Sequence, residues 1–333
     1  MSQREGGGDD HRDGDDSMKT IVIALLVNLA VAAIKAIAGV LSASAGLLAE
    51  AAHSVGDCTT ELFLVTALRR SDKPPDRRHP FGYGKERYFW SLLAALTIFT
   101  LGAGFSVYQG VSTIVGGEHG AESPIIGYVV LGLSAIVEAT SLRQATGRLR
   151  RESRRTDVSV GQYVLEPDDP TVKSVVMEDS AALVGLVFAA TGLVLRQVTG
   201  NAAWDGIAAL AIAVLLMVVA FELARTNVGL LIGKQANPKL VKAISDSLEA
   251  QPEVLSVVDV LTMMIGTGKL LVCARVDFVD SLSATEAERS CVRFHHVLAE
   301  RFPDVETVFI EPVPRGDHEL QRQIRARNDA TDS

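Results

Sequence analysis

Six long stretches of apolar residues, nearly free of charge, constrain the fold of this chain more than any other feature. A bilayer core about 30 Å thick is crossed by a helix of roughly 20 apolar residues. Six buried helices of a large soluble protein are the alternative, but soluble cores rarely contain such uncharged runs in succession. The sequence therefore predicts an α-helical membrane protein with six transmembrane helices, at approximately Thr20–Leu41, Ala45–Leu68, Phe89–Val115, Pro124–Leu142, Thr171–Leu195 and Ala202–Ala224.

The charge balance and the cysteines exclude several functions. The chain has 40 acidic residues against 32 lysines and arginines, a formal charge of −8, and no basic domain. This composition argues against nucleic-acid binding. Cys58, Cys273 and Cys291 are odd in number, widely spaced and outside any CxxC motif. They are predicted to be free thiols, not a disulfide framework or a zinc ribbon.

The loops differ in basic residues, which predicts the orientation in the membrane. The loop Arg69–Arg87 carries seven lysines and arginines and Arg143–Arg155 carries six, whereas Gly116–Ser123 carries none. Because basic loops stay on the cytoplasmic side, both termini are predicted to be cytoplasmic, most simply in a bacterial inner membrane. The first basic loop is expected to fix topology and contact anionic headgroups, with His79 as a candidate entry ligand.

After Lys234 the pattern changes to that of a small folded domain. Helical and strand-like segments follow in the order αββαβ, which predicts a cytoplasmic α+β domain of the ferredoxin-like or metallochaperone-like type. Residues 265–268 are interpreted as a hairpin turn, since no Ser or Thr follows Lys269 as a phosphate loop requires. The predicted segments are Pro238–Ala250, Val254–Met264, Lys269–Val279, Ala284–Phe302 and Val305–Ile310.

The predicted domain organisation has four parts. Residues 1–17 form a disordered acidic tail, residues 18–234 the six-helix transmembrane domain, residues 235–313 the cytoplasmic domain and residues 314–333 a second disordered tail. Both tails are polar and carry too little apolar surface to fold.

Ionisable residues inside the predicted spans point to an ion pathway. Such groups are costly at membrane depth and usually face the bundle interior or a water-filled cavity. Glu50, His53 and Asp57 lie at i, i+3 and i+7 and share one helical face. Glu178 and Asp179 are adjacent, so their side chains point about 100° apart. Only one of these two is therefore expected to face a given axis squarely.

These residues form a candidate metal site. His53 and Asp57 offer an imidazole and a carboxylate from one helix, which suits a first-row cation. Asp179 is the expected third ligand, and Glu178 or a water supplies the fourth position. Asn28 in the first span is a further oxygen donor. The alternative is a hydrogen-bonded network with a structural role. No catalytic residue and no bound cofactor is predicted.

Other charged residues in the spans have two interpretations each. Lys35 and Glu50 lie at similar depth and are predicted to pair, which lowers the insertion penalty of both. The pair is structural or takes part in gating and proton movement. Glu138 and Asp205 either line a vestibule or belong to the scaffold.

Two further motifs are AEAAHSVGD at Ala49–Asp57 and HPFGYGKERY at His79–Tyr88. These motifs resemble those of the cation diffusion facilitators, a family of proton-coupled antiporters of zinc and related divalent metals. Six spans followed by an αββαβ domain complete the likeness, which covers about Met18 to Val313. The resemblance implies a homodimer whose cytoplasmic domains form a metallochaperone-like contact and bind regulatory metal. His295, His296, Cys273 and Asp277 are nevertheless interpreted as surface or packing residues.

The sequence departs from the family at one ligand position. Most members carry a His or Asp four residues before the Asp of span five, where this chain has Val175. The segment Met177–Ala182 is instead similar to the subfamily that contains the animal mitochondrial zinc transporter. The site consequently has Glu178 as a replacement ligand, or three protein ligands and a water.

The resemblance implies transport of zinc or another divalent cation out of the cytoplasm by alternating access, with protons as the counter-ion. Metal binding needs neutral His53 and ionised carboxylates, so each bound metal displaces protons. One rival is a membrane hydrolase that uses a metal-bound water, but the sequence has no HExxH signature. Another is a membrane-anchored metal sensor or assembly scaffold without transport.

Overall fold

The computed structural model describes residues 10–116, 124–155 and 170–329, which form two compact units. The first unit contains the described residues up to Arg70 and those from Glu86 to Val228. The second contains Ser71–Lys85 and the described residues from Gly229 onward. The predicted membrane domain, 18–234, differs from the first unit in two respects, because Ser71–Lys85 and residues 229–234 group with the second unit.

The described helices of the first unit match the six predicted apolar stretches. The third is interrupted by a π-helical turn at Ile98–Ala103, where the helix widens before it continues. Such wide turns occur mainly as single interruptions within longer helices. The helices are α1 Asp10–Leu41, α2 Ala45–Ser71, α3 Glu86–Thr97, α4 Gly104–Gly116, α5 Pro124–Arg155, α6 Pro170–Thr199 and α7 Ala203–Ile232.

Four of the helical segments among the described residues are long and apolar enough to cross a membrane. They are Glu86–Gly116, Ile125–Arg151, Lys173–Thr199 and Ala203–Ile232. In α1 the described apolar part, Leu25–Leu41, is shorter. Helix α2 falls outside this group because ionisable residues along one of its faces lower its hydropathy. The residues that suggest a functional site in α2 are thus the ones that weaken its membrane signal.

The packing of the first unit suits a bilayer. Large apolar side chains such as Val40, Ile136 and Phe221 are 68%, 66% and 69% exposed, so they are available to lipid. Nearly half of the buried residues in its core cluster are alanines, and such small residues let helices approach closely. A Cβ atom on Gly110 would lie 2.8 Å from the backbone oxygen of Gly206. At that point α4 and α7 pack backbone to backbone.

Helices at both ends of the chain correct the predicted tails. The N-terminal prediction is wrong for residues 10–17, because α1 begins at Asp10. Acidic residues near a helix N-terminus are favoured by the helix dipole, and the apolar helix that follows supplies the nucleus. Residues 1–9 lie outside the described residues.

The second unit has the predicted αββαβ order. Strands β1 and β2 are antiparallel, β2 and β3 are parallel, and the sheet order is β1-β2-β3. The predicted hairpin is confirmed: Gly266 pairs with Lys269, and Gly268 has a φ of +62°, which favours glycine. The elements are α8 Pro238–Glu249, β1 Val254–Gly266, β2 Lys269–Phe278, α9 Ala284–Arg301 and β3 Val305–Pro312.

Side chains outside the regular elements fix the two helices of this domain. Asn237 accepts a hydrogen bond from the backbone N–H of Lys239 and starts α8. Ser283 and Glu286 form a capping box that starts α9. Helix α9 buries Phe294 completely, and its ring stacks on Phe278 with centroids 6.1 Å apart.

A helix, α10 (His318–Asp329), follows the last strand, so the predicted disordered tail 314–333 is wrong over these residues. Its start is fixed by Asp317, which accepts hydrogen bonds from the backbone N–H groups of Glu319 and Leu320. Near its end, Arg327 forms a bidentate pair with Asp259 of β1 at 2.7 and 2.9 Å. The polar composition gave no signal for this helix. The helix is stabilised in part by the ion pair between Arg327 and Asp259, which are far apart in the sequence. Residues 330–333 lie outside the described residues.

The segment Ser71–Lys85 packs on the hairpin of the second unit. Gly84 lies so close to the hairpin that a Cβ atom there would be 2.4 Å from the backbone oxygen of Ile265. The rings of Phe81 and Phe309 meet edge to face at 6.4 Å. Lys85 donates to the backbone oxygen of Leu231 at 3.4 Å. This basic segment is thus part of the same folded body as the C-terminal sheet.

Within that segment an exposed carboxylate organises the turn. Asp76 accepts hydrogen bonds from the Tyr83 hydroxyl at 2.7 Å and from the backbone N–H groups of His79 and Arg78 at 2.7 and 2.8 Å. These bonds, led by that of Tyr83, lower the pKa of Asp76 to about 2. The imidazole of His79, the candidate entry ligand, lies 3.3 Å from the same carboxylate.

Candidate metal pathway

The polar face of α2 is the foundation of the candidate site. Glu50, His53 and Asp57 lie on it as predicted, and Glu61 extends it by one more turn. Glu61 was not among the predicted site residues, although its position eleven residues after Glu50 places it on the same face, about three helical turns further on. The spacing alone was sufficient to identify it.

The start of α2 is held by a buried acid from another helix. Asp205, at the beginning of α7, accepts from the backbone N–H groups of Ala45 and Gly46 at 2.5 and 3.3 Å and from the Ser44 hydroxyl at 2.9 Å. Arg196 lies 3.7 Å from the same carboxylate. Asp205 is therefore a scaffold residue that caps α2, the second of the two interpretations that the sequence left open.

A cavity of about 100 Å³ lies between α1, α2, α5 and α6. Four of the five predicted ligands line it, namely Asn28, Asp57, Glu178 and Asp179. Both members of the adjacent pair in α6 thus reach the same space, whereas the sequence predicted that only one would face it squarely. The other residues that line the cavity are Val31, Ser54, Thr60, Glu61, Leu64, Val137, Glu138, Ser141 and Val175.

His53 stands beside the cavity and does not line it. The side chain is buried, and its Nδ1 atom lies 3.5 Å from Oδ1 of Asp57. Neither ring nitrogen has a hydrogen-bond partner among the described residues, and neither does Oδ1 of Asp57. Buried polar atoms are normally paired, so unpaired ones at a polar cavity indicate a place for a further partner. A cation bound by Asp57 would be such a partner.

The two acids of α6 differ in their surroundings. Asp179 accepts a hydrogen bond of 2.7 Å from the hydroxyl of Ser141, which orients its carboxylate. Glu178 is buried, and its Oε1 atom has no hydrogen-bond partner among the described residues. Val175 lines the cavity one turn earlier and brings no donor atom. Glu178 therefore has a carboxylate oxygen available to bind a metal ion, as a replacement ligand requires.

Asn28 has a partner that the sequence did not reveal. Its side-chain amide donates to Oε1 of Glu61 at 2.5 Å, across the interface between α1 and α2. The other carboxylate oxygen of Glu61 is buried without a hydrogen-bond partner among the described residues. Asn28 thus lines the cavity, and its amide nitrogen donates to an acid that lines the same cavity.

The cavity is strongly acidic and its donors are separate. Five carboxylates line it, those of Asp57, Glu61, Glu138, Glu178 and Asp179. Within the described parts of the chain, no three His, Cys, Asp or Glu side chains already form a group that would hold a metal ion. Ligation of one cation by three of these residues requires side-chain rotation within the cavity. Carboxylates suit hard divalent cations, and the neighbouring imidazole suits zinc and other first-row metals.

Lys35 and Glu50 are paired as predicted. Their charged atoms are 3.4 Å apart and both side chains are fully buried. Lys35 also lies 3.3 Å from Glu138 and donates to Ser54 at 2.9 Å. Glu138, which the sequence left as vestibule or scaffold, therefore lines the cavity and holds an ion pair.

The family is decided by comparison with known proteins. Residues 21–232, more than half of the chain, match the family described as the cation efflux transmembrane domain. The chain belongs to the cation efflux family. This cation efflux protein is accordingly a multi-pass membrane protein, and its family consists of transporters of divalent metal cations.

Two eukaryotic relatives share about a third of the aligned residues. The human protein named proton-coupled zinc antiporter SLC30A9, mitochondrial, is 34% identical over 260 residues, which are 78% of this chain and 46% of the human protein. Metal tolerance protein C4 of Arabidopsis thaliana is 32% identical over 262 residues, 79% of this chain and 57% of the relative. The chain thus spans about half the length of these curated relatives.

A bacterial relative is more distant but of similar length. The manganese efflux system protein MneP of Bacillus subtilis is 23% identical over 304 residues, which cover 90% of this chain and 96% of the relative. Relatives named for zinc and for manganese therefore occur among the similar proteins, and the family alone does not choose the metal.

The residues considered for regulatory metal in the second unit have other surroundings. Asp277 accepts a hydrogen bond from the backbone N–H of Arg315 at 3.0 Å. Burial raises the pKa of the Cys273 thiol, which disfavours the thiolate that binds metals. The rings of His295 and His296 lie at 75° to each other, with centroids 5.7 Å apart.

Proposed function

We propose that this protein is a proton-coupled antiporter that exports a divalent cation from the cytoplasm, with zinc as the favoured substrate. The observation that carries the proposal is the acidic cavity between α1, α2, α5 and α6, with His53 beside it. Asp57, Asp179 and Glu178 supply carboxylate ligands and His53 an imidazole after rotation of the side chains. Zinc is preferred over manganese because of this imidazole and because the more similar relatives include one named as a zinc antiporter.

Proton coupling follows from the chemistry of the ligands. A carboxylate or an imidazole binds a metal ion only in its deprotonated form, so loading the cavity releases protons. In the opposite direction, protons that enter from the outside compete with the metal for the same atoms. His53 is suited to this competition, because an imidazole nitrogen binds either a proton or a metal ion. Exchange of one metal for protons then resets the carrier, with access alternating between the two sides.

The proposed orientation places both termini and the second unit in the cytoplasm. Two observations support it. The segment Ser71–Lys85, which is rich in Lys and Arg, folds in one compact unit with the C-terminal sheet, which supports a location of both on the same side of the membrane. Basic loops remain on the cytoplasmic side. We also propose a homodimer, on the resemblance to the family.

Flux measurements in sealed vesicles test the function. Purified protein in liposomes should take up zinc when a proton gradient across the membrane drives the exchange. Each zinc that enters should be accompanied by protons that leave. Asp57→Ala and Asp179→Ala should each abolish flux while the protein remains folded. Asp246→Ala, which removes an exposed acid of α8, is the matched control and should keep normal flux.

The outcomes separate the alternatives. Near-normal flux in Asp57→Ala or Asp179→Ala removes that residue from the site. Metal binding without any flux by the wild-type protein favours a sensor or scaffold. For the departure at Val175, Glu178→Gln is informative: weaker zinc affinity assigns Glu178 as the fourth ligand, and unchanged affinity assigns a water.

A further inference from the structure

Lys35 is a fully buried cation within the first unit. Its side chain is fully buried and lies among three partners from α2 and α5. The ammonium donates to Ser54 at 2.9 Å and lies 3.3 Å from Glu138 and 3.4 Å from Glu50. A buried lysine needs such carboxylates, because an unpaired charge in a low-dielectric interior is strongly unfavourable.

Two of the three partners of Lys35 belong to the acidic cavity. Ser54 and Glu138 line it, whereas Glu50 does not. Among the described residues, Lys35 is the one lysine or arginine that pairs with any of the five carboxylates of the cavity. Its ammonium therefore lies at the wall of the space where a metal cation would bind.

The third partner, Glu50, offers the ammonium an alternative place. One oxygen of this carboxylate faces Lys35, and the other is buried without a hydrogen-bond partner among the described residues. Gly185 of α6 makes room for it, because a Cβ atom there would lie 2.1 Å from Oε1 of Glu50. Lys35 is thus flanked by one acid of the cavity and one acid behind it.

We propose that Lys35 is a tethered cation that competes with the transported metal for the carboxylates of the cavity. In the metal-free cavity the ammonium neutralises Glu138. When a divalent cation enters, the ammonium is repelled and stays paired with Glu50, and Glu138 becomes available to the metal. When the metal leaves, the ammonium returns to Glu138, so release does not leave that acid uncompensated. This inference rests on the proposed transport function.

The proposal predicts an effect of definite sign. Lys35 lowers the affinity for the metal and thereby speeds its release. Carriers and channels need such weakening, because an ion that binds too tightly does not leave. A charge within about 4 to 6 Å shifts the equilibrium of a neighbouring ionic group by about one to three powers of ten. Removal of the ammonium should therefore tighten metal binding by about one to two powers of ten, that is about 10- to 100-fold.

Zinc titration of the full chain in detergent tests the sign. Lys35→Met should bind zinc about 10- to 100-fold more tightly than the wild type, and Lys35→Arg, which keeps the charge, should bind like the wild type. Lys173→Met is the matched control. Lys173 is a second buried lysine, 2.8 Å from Glu222, and it does not line the cavity. Its removal should leave zinc affinity unchanged.

Transport kinetics give an independent readout. In vesicles, Lys35→Met should lower KM for zinc and also lower the maximal rate, because release becomes slow. A lysine with a purely structural role predicts a lower maximal rate without a lower KM. Unchanged or weaker zinc affinity in a folded Lys35→Met protein overturns the proposal.

A second variant covers the case in which Lys35→Met does not fold. Lys35→Met combined with Glu50→Gln removes both members of the buried pair and leaves the five carboxylates of the cavity intact. The proposal predicts that this double variant also binds zinc more tightly than the wild type, and equal or weaker binding overturns it. Failure of the wild type itself to bind or move zinc, manganese or cobalt would instead refute the proposed function.

Discussion

Removal of the carboxylate of Asp205 should loosen the start of α2, the helix that carries much of the acidic cavity. The carboxylate accepts two backbone N–H groups and one hydroxyl, at 2.5, 3.3 and 2.9 Å, and it is fully buried. Hydrogen bonds to a charged group contribute about 1.5 to 3 kcal/mol each and are not additive. Loss of one member of a buried ion pair costs about 3 to 5 kcal/mol.

Asp205→Ala should therefore destabilise the protein by about 3 to 5 kcal/mol, since it removes all three hydrogen bonds and leaves Arg196 without this carboxylate. Asp205→Asn keeps one acceptor oxygen and nearly the same shape. It should lose less than Ala does, with about 1.5 to 3 kcal/mol as the expected loss.

Unfolding of the purified protein in mixed detergent, followed by circular dichroism, measures these differences. Asp246→Ala is the control, because Asp246 forms an exposed pair with Lys242 at 3.0 Å and such pairs contribute about 0 to 1 kcal/mol. If Asp205→Ala unfolds within about 0.5 kcal/mol of the wild type, a loss typical of a neutral surface substitution, the capping role of Asp205 is refuted.

Two further predictions concern a tight contact and an exposed carboxylate. Gly185→Ala should lower stability by about 1 to 3 kcal/mol and reduce flux, because its Cβ would lie 2.1 Å from a buried carboxylate oxygen; Gly132→Ala, with no neighbour within 4 Å, should not. The pKa of Asp76 is lowered to about 2, first by the Tyr83 hydroxyl, so its contribution to the order of the segment is complete above the unfolded value of 3.8 and is lost as pH falls through about 2. Pepsin cleavage within residues 71–85 should consequently increase between pH 4 and pH 2, and Asp76→Ala should be cleaved readily throughout; equal cleavage of the two proteins contradicts this.

The helices and strands were predictable because their signals are local. Long apolar runs predicted the helices, and β-branched runs joined by a glycine turn predicted the hairpin of the second unit. The common face of Glu50, His53 and Asp57 followed from helical spacing. In each of these cases the residues that produce the signal are close together in the sequence, within a few helical turns or on the two strands of one hairpin.

The contacts that complete the site were not predictable in this way. Asn28 and Glu61 are 33 positions apart, and Asp205 and Ala45 are 160 apart. Which of the many polar residues meet depends on how the helices pack, and single-sequence periodicity contains no record of that. The helix α10 was missed for the same reason, since its pairing with Asp259 of β1 bridges 68 positions.

The grouping of Ser71–Lys85 with the C-terminal sheet means that the polypeptide passes between the two units three times, after Arg70, before Glu86 and after Val228. A protein shortened to end after α7 would retain this segment and lose the hairpin against which Gly84 and Phe81 pack. A fragment that starts at Gly229 would expose the hairpin surface that the segment covers. No single cut in the sequence therefore separates the two units from each other.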